Sequence, residues 1–345
     1  MRWQAFRELL LDRLRQFHRE PEVIFWVYLF PLLLIAGLGV AFSEDGPKPV
    51  LVRVVADSPE RTAELARQLA SPEIETETAG LDQLDRAGMG GRWDLTIVAR
   101  DGGVEYRLDP QQPESRLARE LADRALQQSQ GRVDPVSTTT VAEVRPGSRY
   151  IDWVIPGLLG LNILGSSMWG VGFTLVDLRI RKVLKRLSAT PMRHGDFLLA
   201  LLASRMLFLA LEVVAILAFG RLVFHMPIVG DPLSIAGLCF LGACSFSAIS
   251  LLTGARADKL ETVTGLMNAI QVPMWIASGV FFSADRFPPV VQPLIQLLPL
   301  TQLNNGLRAI LLEGHNLLDE AAAVGVLSAW GIVCFAAALR LFRWQ

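Results

Sequence analysis

Six stretches of the chain run for about 20 residues with almost no charge: 23–42, 153–176, 197–219, 233–252, 262–282 and 321–339. A helix of about 20 apolar residues crosses a hydrocarbon core of about 30 Å. Each stretch therefore predicts a transmembrane helix. Five of them lack Asp, Glu, Lys and Arg altogether; the third contains Arg205 and Glu212. Soluble cores rarely supply six runs of this kind, which argues against a water-soluble protein with buried helices. Between the first and second runs the pattern changes. Residues 43–150 are polar, with strand-like runs at 50–56, 94–100, 104–108 and 136–144 and helical composition at 60–70 and 114–128. Asp101-Gly102-Gly103 predicts a turn between two of those strands. Ahead of the first run, Trp3, Phe6, Leu10, Leu14 and Phe17 recur every three or four residues. Gln4, Glu8, Asp12, Arg15 and Arg19 fall on the opposite side. That is an amphipathic helix suited to a membrane interface, ended by Pro21.

The expected fold class is a mainly α membrane protein: six transmembrane helices, an N-terminal interfacial helix and an inserted extracytoplasmic α+β domain. The divisions are 1–20 (cytoplasmic interfacial helix), 21–42 (first span), 43–150 (extracytoplasmic domain) and 151–345 (five further spans). The last part includes a cytoplasmic coupling helix at 177–191 and an outer re-entrant segment at 287–315.

Composition agrees with this division. Hydrophobic residues make up 51% of the chain and charged residues only 19%, with a mean hydropathy of +0.36. The net charge of -1 removes the basic footprint of a nucleic-acid binder, and the apolar content excludes disorder. Charge is concentrated in 43–150. The three cysteines, Cys239, Cys244 and Cys334, all lie in apolar runs and form no disulfide framework. His18, His194, His225 and His315 are scattered, so no histidine metal site is expected. Lys and Arg crowd the segments before the first run, between the second and third, between the fourth and fifth, and after the sixth. The positive-inside rule then places both termini in the cytoplasm and 43–150 outside; the expected location is a bacterial inner (plasma) membrane. Ala41-Phe42-Ser43 fits a small-x-small cleavage site, but the apolar run before it exceeds a signal-peptide core of about 7–15 residues. The first span is expected to stay uncleaved.

The loop after the second span, Asp177-Leu-Arg-Ile-Arg-Lys-Val-Leu-Lys-Arg-Leu-Ser-Ala-Thr-Pro-Met, is the most informative stretch. Ile180, Val183, Leu184 and Leu187 share one helical face; Arg179, Arg181, Lys182, Lys185 and Arg186 occupy the rest, and Pro191 ends the helix. An amphipathic helix held between two spans is a lever for a cytoplasmic partner, or equally an anchor on anionic headgroups. The later segment 287–315 is too apolar for a plain loop and is broken by Pro288, Pro289, Pro293 and Pro299. Short helices dipping into the outer leaflet fit it, either as an outer gate or as an interfacial cap.

The basic run followed by Leu-Ser-Ala-Thr-Pro-Met, between the second and third of six spans, resembles the membrane subunit of ABC exporters of the type-2 permease family. So does Ser-Gly-Val-Phe-Phe-Ser-Ala-Asp-Arg-Phe-Pro-Pro from Ser278, followed by Leu-Pro-Leu-Thr-Gln-Leu-Asn-Asn-Gly-Leu-Arg from Leu298. The long domain after the first span is similar to that of the drug-export branch. The family often has Glu entering the coupling segment, where this chain has only Asp177.

The resemblance implies a permease without bond chemistry of its own. Its partners would be a cytoplasmic ABC ATPase subunit, a second permease subunit (as homodimer or heterodimer), the lipid bilayer and a periplasmic adaptor. ATP and Mg would sit on the ATPase. This chain needs no cofactor, and none of its lysines (Lys48, Lys182, Lys185, Lys259) follows Gly as a phosphate loop requires.

Coupling to the ATPase is assigned to Arg179, Arg181, Lys182, Lys185, Arg186, Leu187, Thr190 and Pro191. Glu212, Arg205, Asn162, Asn268 and Gln271 are pathway candidates, because a mid-membrane charge costs about 2.5–3.5 kcal/mol unless it faces a cavity or partner. Arg205 and Glu212, seven residues apart and about 10 Å along the axis, are read as too distant to pair directly. Pro288, Pro289, Asn304, Asn305 and Arg308 are candidates for an outer gate. The expected function is ATP-driven export of a hydrophobic or amphipathic substrate. The alternative is a non-transporting relay from a cytoplasmic ATPase to an extracytoplasmic partner. An ion-coupled transporter is disfavoured, since the chain has no internal repeat.

Overall fold

The computed structural model describes residues 21–42, 49–80, 93–100, 103–132, 147, 149–183, 194–255, 257 and 259–341. The expected helix at 1–20, the strand at 136–144 and the coupling residues 184–193 lie outside these. The chain divides into two compact units, Met1–Ser43 with Glu143–Gln345, and Glu44–Ala142.

The larger unit is helical. Pro21–Ile24 and a π turn at Phe25–Leu29 lead into α1 (Phe30–Ala41). After the smaller unit, α4 (Tyr150–Ser167) passes through a π segment (Met168–Phe173) into α5 (Thr174–Ile180). Then come α6 (His194–Phe224), α7 (Pro232–Gly254), α8 (Leu260–Ala277), α9 (Gln292–Gln296) and α10 (Pro299–Arg308). A π turn (Ala309–Glu313) and α11 (Ala321–Leu341) complete the unit. Four helical stretches among the described residues are long and apolar enough to cross a membrane: Tyr150–Ile180, Ala203–Phe224, Pro232–Gly254 and Ala321–Leu341. The apolar helix Phe25–Ala41 is shorter. Helix α8 carries Glu261, Thr262, Thr264, Asn268 and Gln271, which dilute its apolar content.

Helices α4 and α7 are the core of this unit. Ile155, Leu158, Leu159, Ile163 and Leu164 from α4 pack with Leu238, Ala243, Phe246 and Ile249 from α7 in one continuous cluster. Leu300, Leu303 and Leu307 of α10 and Ala323 and Leu327 of α11 join it. Helix α6 instead presents one face inward, through Arg205, Leu209, Glu212 and Ile216, and leaves Leu207, Leu211 and Val214 exposed.

Two sequence expectations change here. The helix expected over 262–282 stops at Ala277, because Ser278 ends it and Gly279 turns into the left-handed region at φ +69°. The helix expected to run through 177–191 stops at Ile180, and Lys182 sits at φ +57°. A left-handed residue breaks the helical ladder, so α5 does not continue unbroken through Lys182.

The smaller unit is α+β. Strands β1 (Val50–Val55), β2 (Ile74–Ala79), β3 (Leu95–Arg100) and β4 (Gly103–Arg107) form a sheet of order β2-β1-β3-β4. β1 runs parallel to β2 and β3, and β4 is antiparallel to β3. Parallel neighbours need a crossover, which α2 (Pro59–Gln68) supplies between β1 and β2; α3 (Pro113–Ser129) follows β4. Ser58 starts α2 by accepting the amide of Arg61 at 3.3 Å, with Pro59 at the first turn. Alternate residues Val50, Val52 and Val54, with Ile74, Leu95 and Ile97, meet Leu65, Leu69, Ala118, Ala122 and Leu126 of the helices. On the other side of β1, Arg53 stacks on Trp93 at 4.5 Å, and the Trp93 indole donates to Glu77 at 2.8 Å.

Sequence reading missed β2. Its run Ile-Glu-Thr-Glu-Thr-Ala carries two carboxylates that point outward from an edge strand, so it lacks the apolar signal of a strand.

This core predicts that residues 44–142 unfold cooperatively as an isolated fragment. Ile97→Ala, at a fully buried position, should cost about 2–5 kcal/mol, and Leu51→Ala on the opposite face clearly less. Urea titration followed by circular dichroism measures both.

Candidate functional site

The charges that sequence placed in the third span come together. Arg205 Nη2 donates to Glu212 Oε2 at 3.2 Å, and Glu212 is fully buried. The expectation that seven residues held them apart is corrected. The two lie two helical turns apart on one face, a helical side chain leans toward the N-terminus, and the long guanidinium spans the remaining distance. Ser166 of α4 donates to Glu212 Oε1 at 2.9 Å and accepts from Arg205. One turn earlier, Asn162 donates to the carbonyl of Val27 at 3.0 Å, inside the first π turn. Tyr28 donates to Phe208 O at 3.1 Å. The first helix, α4 and α6 are thus joined by one buried polar cluster. Ser166 and Tyr28 were not among the sequence candidates; a lone serine or tyrosine in an apolar run carries no periodic signal.

The other pathway candidates do not join it. Asn268 is exposed on α8, and Gln271 is buried with its Nε2 lacking a hydrogen-bond partner among the described residues.

At the end of α5, Arg179 turns inward. Its guanidinium donates to the carbonyls of Gly254 and Ala257 at 3.1 Å and of Ala255 at 3.2 Å. A cation on the last carbonyls of a helix satisfies groups that have no intrahelical partner and complements the dipole. Arg179 therefore ties α5 to the end of α7. Arg181 pairs with Asp177 at 2.8 Å on the exposed side, and Lys182 is exposed. Lys185, Arg186, Leu187, Thr190 and Pro191 lie outside the described residues.

At the opposite end of α4 a second arginine does the same. Arg308 of α10 is buried, lies 3.6 Å over the Trp153 ring, and donates to Trp153 O at 3.2 Å and Gly279 O at 2.5 Å. Asn304, one turn earlier, donates to Ser278 O at 3.0 Å, and Tyr150 donates to Phe281 O at 3.0 Å. Together they satisfy the unwound carbonyls after α8. Asn305 is half-buried, and Pro288 and Pro289 are exposed. Gly157 and Gly160 of α4 face Val280, Arg308 and Asn304 inside the same chain. Beyond the clasp, His315 Nδ1 donates to Glu320 Oε1 at 2.8 Å. That hydrogen bond raises its pKa above the usual histidine value. Its contribution to stability is fully present below that usual value and is lost as pH rises through the raised one.

The ion pair sets a stability test. Removing one partner of a buried pair costs about 3–5 kcal/mol, because the other charge is left uncompensated, while replacing both can be neutral. Arg205→Met and Glu212→Leu alone should each lower the thermal unfolding midpoint of the purified protein, and the double variant should recover most of the loss.

A family profile described as ABC-2 family transporter protein matches residues 21–340. The chain is 25% identical over 203 residues to the inner membrane transport permease YadH of Escherichia coli, covering 58% of this chain and 75% of that protein. It is 22% identical over 218 residues to the linearmycin resistance permease protein LnrN of Bacillus subtilis, covering 61% and 55%. It is 24% identical over 209 residues to ABC transporter G family member 20 of Dictyostelium discoideum, covering 59% of this chain but only 28% of that protein. With the match running through every helix of the larger unit, the chain belongs to the ABC-2 family of transporter proteins and is membrane-embedded.

Proposed function

We propose that this chain is the membrane-spanning subunit of an ATP-driven exporter, powered by separate cytoplasmic ATPase subunits and working beside a second permease subunit. In this reading it crosses a bacterial inner membrane six times. The first apolar helix and α8 complete the four longer spans, both termini face the cytoplasm, and 43–150 lies outside. The observation that carries the reading is the Arg179 tie. The segment that leaves α5 with a basic run is fastened to the end of α7, so a pull on that segment moves two spans together. A partner that closes on ATP has such a handle at 177–191, and the spans change access in response. The pathway runs along the face of α8 that exposes Asn268, since a mid-span amide facing lipid would be left without a partner. The clasp of Arg308 and Asn304 closes its outer end. The Glu212–Arg205 cluster, enclosed by three helices of one chain, holds those helices together. The Bacillus relative is a linearmycin resistance permease, which supports outward transport of a hydrophobic or amphipathic compound.

Charge reversal at Arg181, Lys182, Lys185 and Arg186 together tests the handle. In vesicles carrying the permease with its ATPase, assembly should persist, while export of a fluorescent amphiphile stops and ATP turnover no longer responds to the permease. Unchanged turnover and export would overturn the reading. If turnover responds to the wild-type permease but no cargo ever moves, the chain is a relay to an extracytoplasmic partner.

A further inference from the structure

In an unbroken α-helix the amide of Gly172 would donate to the carbonyl of Met168, four residues earlier. Here a side chain from another helix stands between them. The hydroxyl of Ser250, in α7, donates to Met168 O at 2.6 Å and accepts from Gly172 N at 2.9 Å. The ladder opens at this point, and Met168–Phe173 forms a π segment. A side chain inserted into the hydrogen-bond ladder is a recognised cause of such a distortion, and π turns frequently mark functional sites. The fit is close. Ser250 is fully buried, and a Cβ on residue 172 would sit 2.7 Å from Met267 Cε and 2.5 Å from the Ser250 carbonyl. Only glycine admits the hydroxyl there.

A π turn holds one residue more than the α-helix it replaces. One residue is about 100° of rotation and 1.5 Å of rise. The turn therefore sets the phase of everything beyond it, including Arg179, which must face the carbonyls of Gly254, Ala255 and Ala257. Val176 lies between these two contacts; its Cγ2 is 3.3 Å from where a Cβ on residue 254 would stand. The hydroxyl and the guanidinium are thus two fastenings of a single contact between 168–180 and 250–257.

We infer that Ser250 is the positioning residue of the coupling end. Its hydroxyl holds the π turn open, and the turn sets the angle at which Arg179 and the segment after it are presented. The role in coupling rests on the reading of 177–191 as the ATPase handle; the setting of phase does not.

The test uses the full chain with Cys239, Cys244 and Cys334 replaced by Ala, carrying Val176→Cys and Gly254→Cys. Mild oxidation should join the two new cysteines while Ser250 is present. Ser250→Ala should let the helix close to α, swing residue 176 away and abolish the link. Deleting Gly170 in the same S250A background removes the surplus residue, so the link should return. A residue that merely fills space predicts the opposite, with the deletion adding damage. Persistence of the link in S250A, or failure of the deletion to restore it, overturns the inference; so does failure of both variants to fold, since the deletion should relieve what S250A creates. Export in the reconstituted complex, with the native residues at 176 and 254, should fall with S250A and recover with the deletion. A link that recovers without export overturns the coupling role alone. The charge-reversal variants leave 168–176 and 250–254 untouched, so the handle reading can fail while the link behaves as expected.

Discussion

Backbone groups that leave the helical ladder inside a hydrocarbon layer have no water to turn to, and each one left bare costs several kcal/mol. That constraint governs the larger unit. Its helices are interrupted at several places: the π turn at Phe25–Leu29, the π segment at Met168–Phe173, the end of α7 and the unwound stretch after α8. At each, a polar side chain from a different helix supplies the missing partner. Asn162 serves Val27, Ser250 serves Met168 and Gly172, Arg179 serves the end of α7, and Asn304 with Arg308 serves Ser278 and Gly279. Several polar residues of these apolar helices are therefore engaged with backbone, while Arg205, Glu212 and Ser166 engage one another.

This arrangement bears on mechanics. A packed apolar interface can slide, but a hydroxyl or guanidinium seated on named carbonyls defines one register. Arg179 and Ser250 fix the register of α5 against α7 at one end of the long α4–α5 helix, and Arg308 fixes α4 against the end of α8 at the other. Between them the Arg205–Glu212–Ser166 cluster ties α6 to α4. These ties oppose sliding of α4 and α5 against their neighbours, and transport is proposed to move them together. Side chains engaged in this way are poor candidates for touching cargo, which leaves the exposed face of α8 as the better one.

Much of this is legible in the amino-acid sequence. The apolar runs around 153–176, 197–219, 233–252 and 321–339 correspond to helices of membrane-spanning length, and the polar insert shows most of the strands and helices its alternation predicts. Periodicity succeeds there because burial imposes a repeat along the chain. It failed where the cause lay elsewhere. The polar edge strand β2 pairs through backbone, the stop at Ala277 comes where Gly279 turns left-handed and side chains of α10 take up the freed carbonyls, and the break at Lys182 is a backbone choice that composition permits but does not impose.

The candidate site divides in the same way. Sequence alone determined that the chain is built for a membrane, that it carries a basic segment after its second apolar run, and that Arg205, Glu212, Asn304 and Arg308 sit where charge and amides are costly. Those are properties of single residues in their own stretch of chain. Tertiary structure decided the partners: that Arg205 reaches Glu212, that Arg179 faces α7, that Asn268 stays exposed while Asn162 is engaged, and that an unremarkable serine at 250 opens a helix 78 residues earlier in the chain. A hydrogen bond between distant segments depends on helix phase and approach distance, and neither is written in the local pattern of apolar and polar residues.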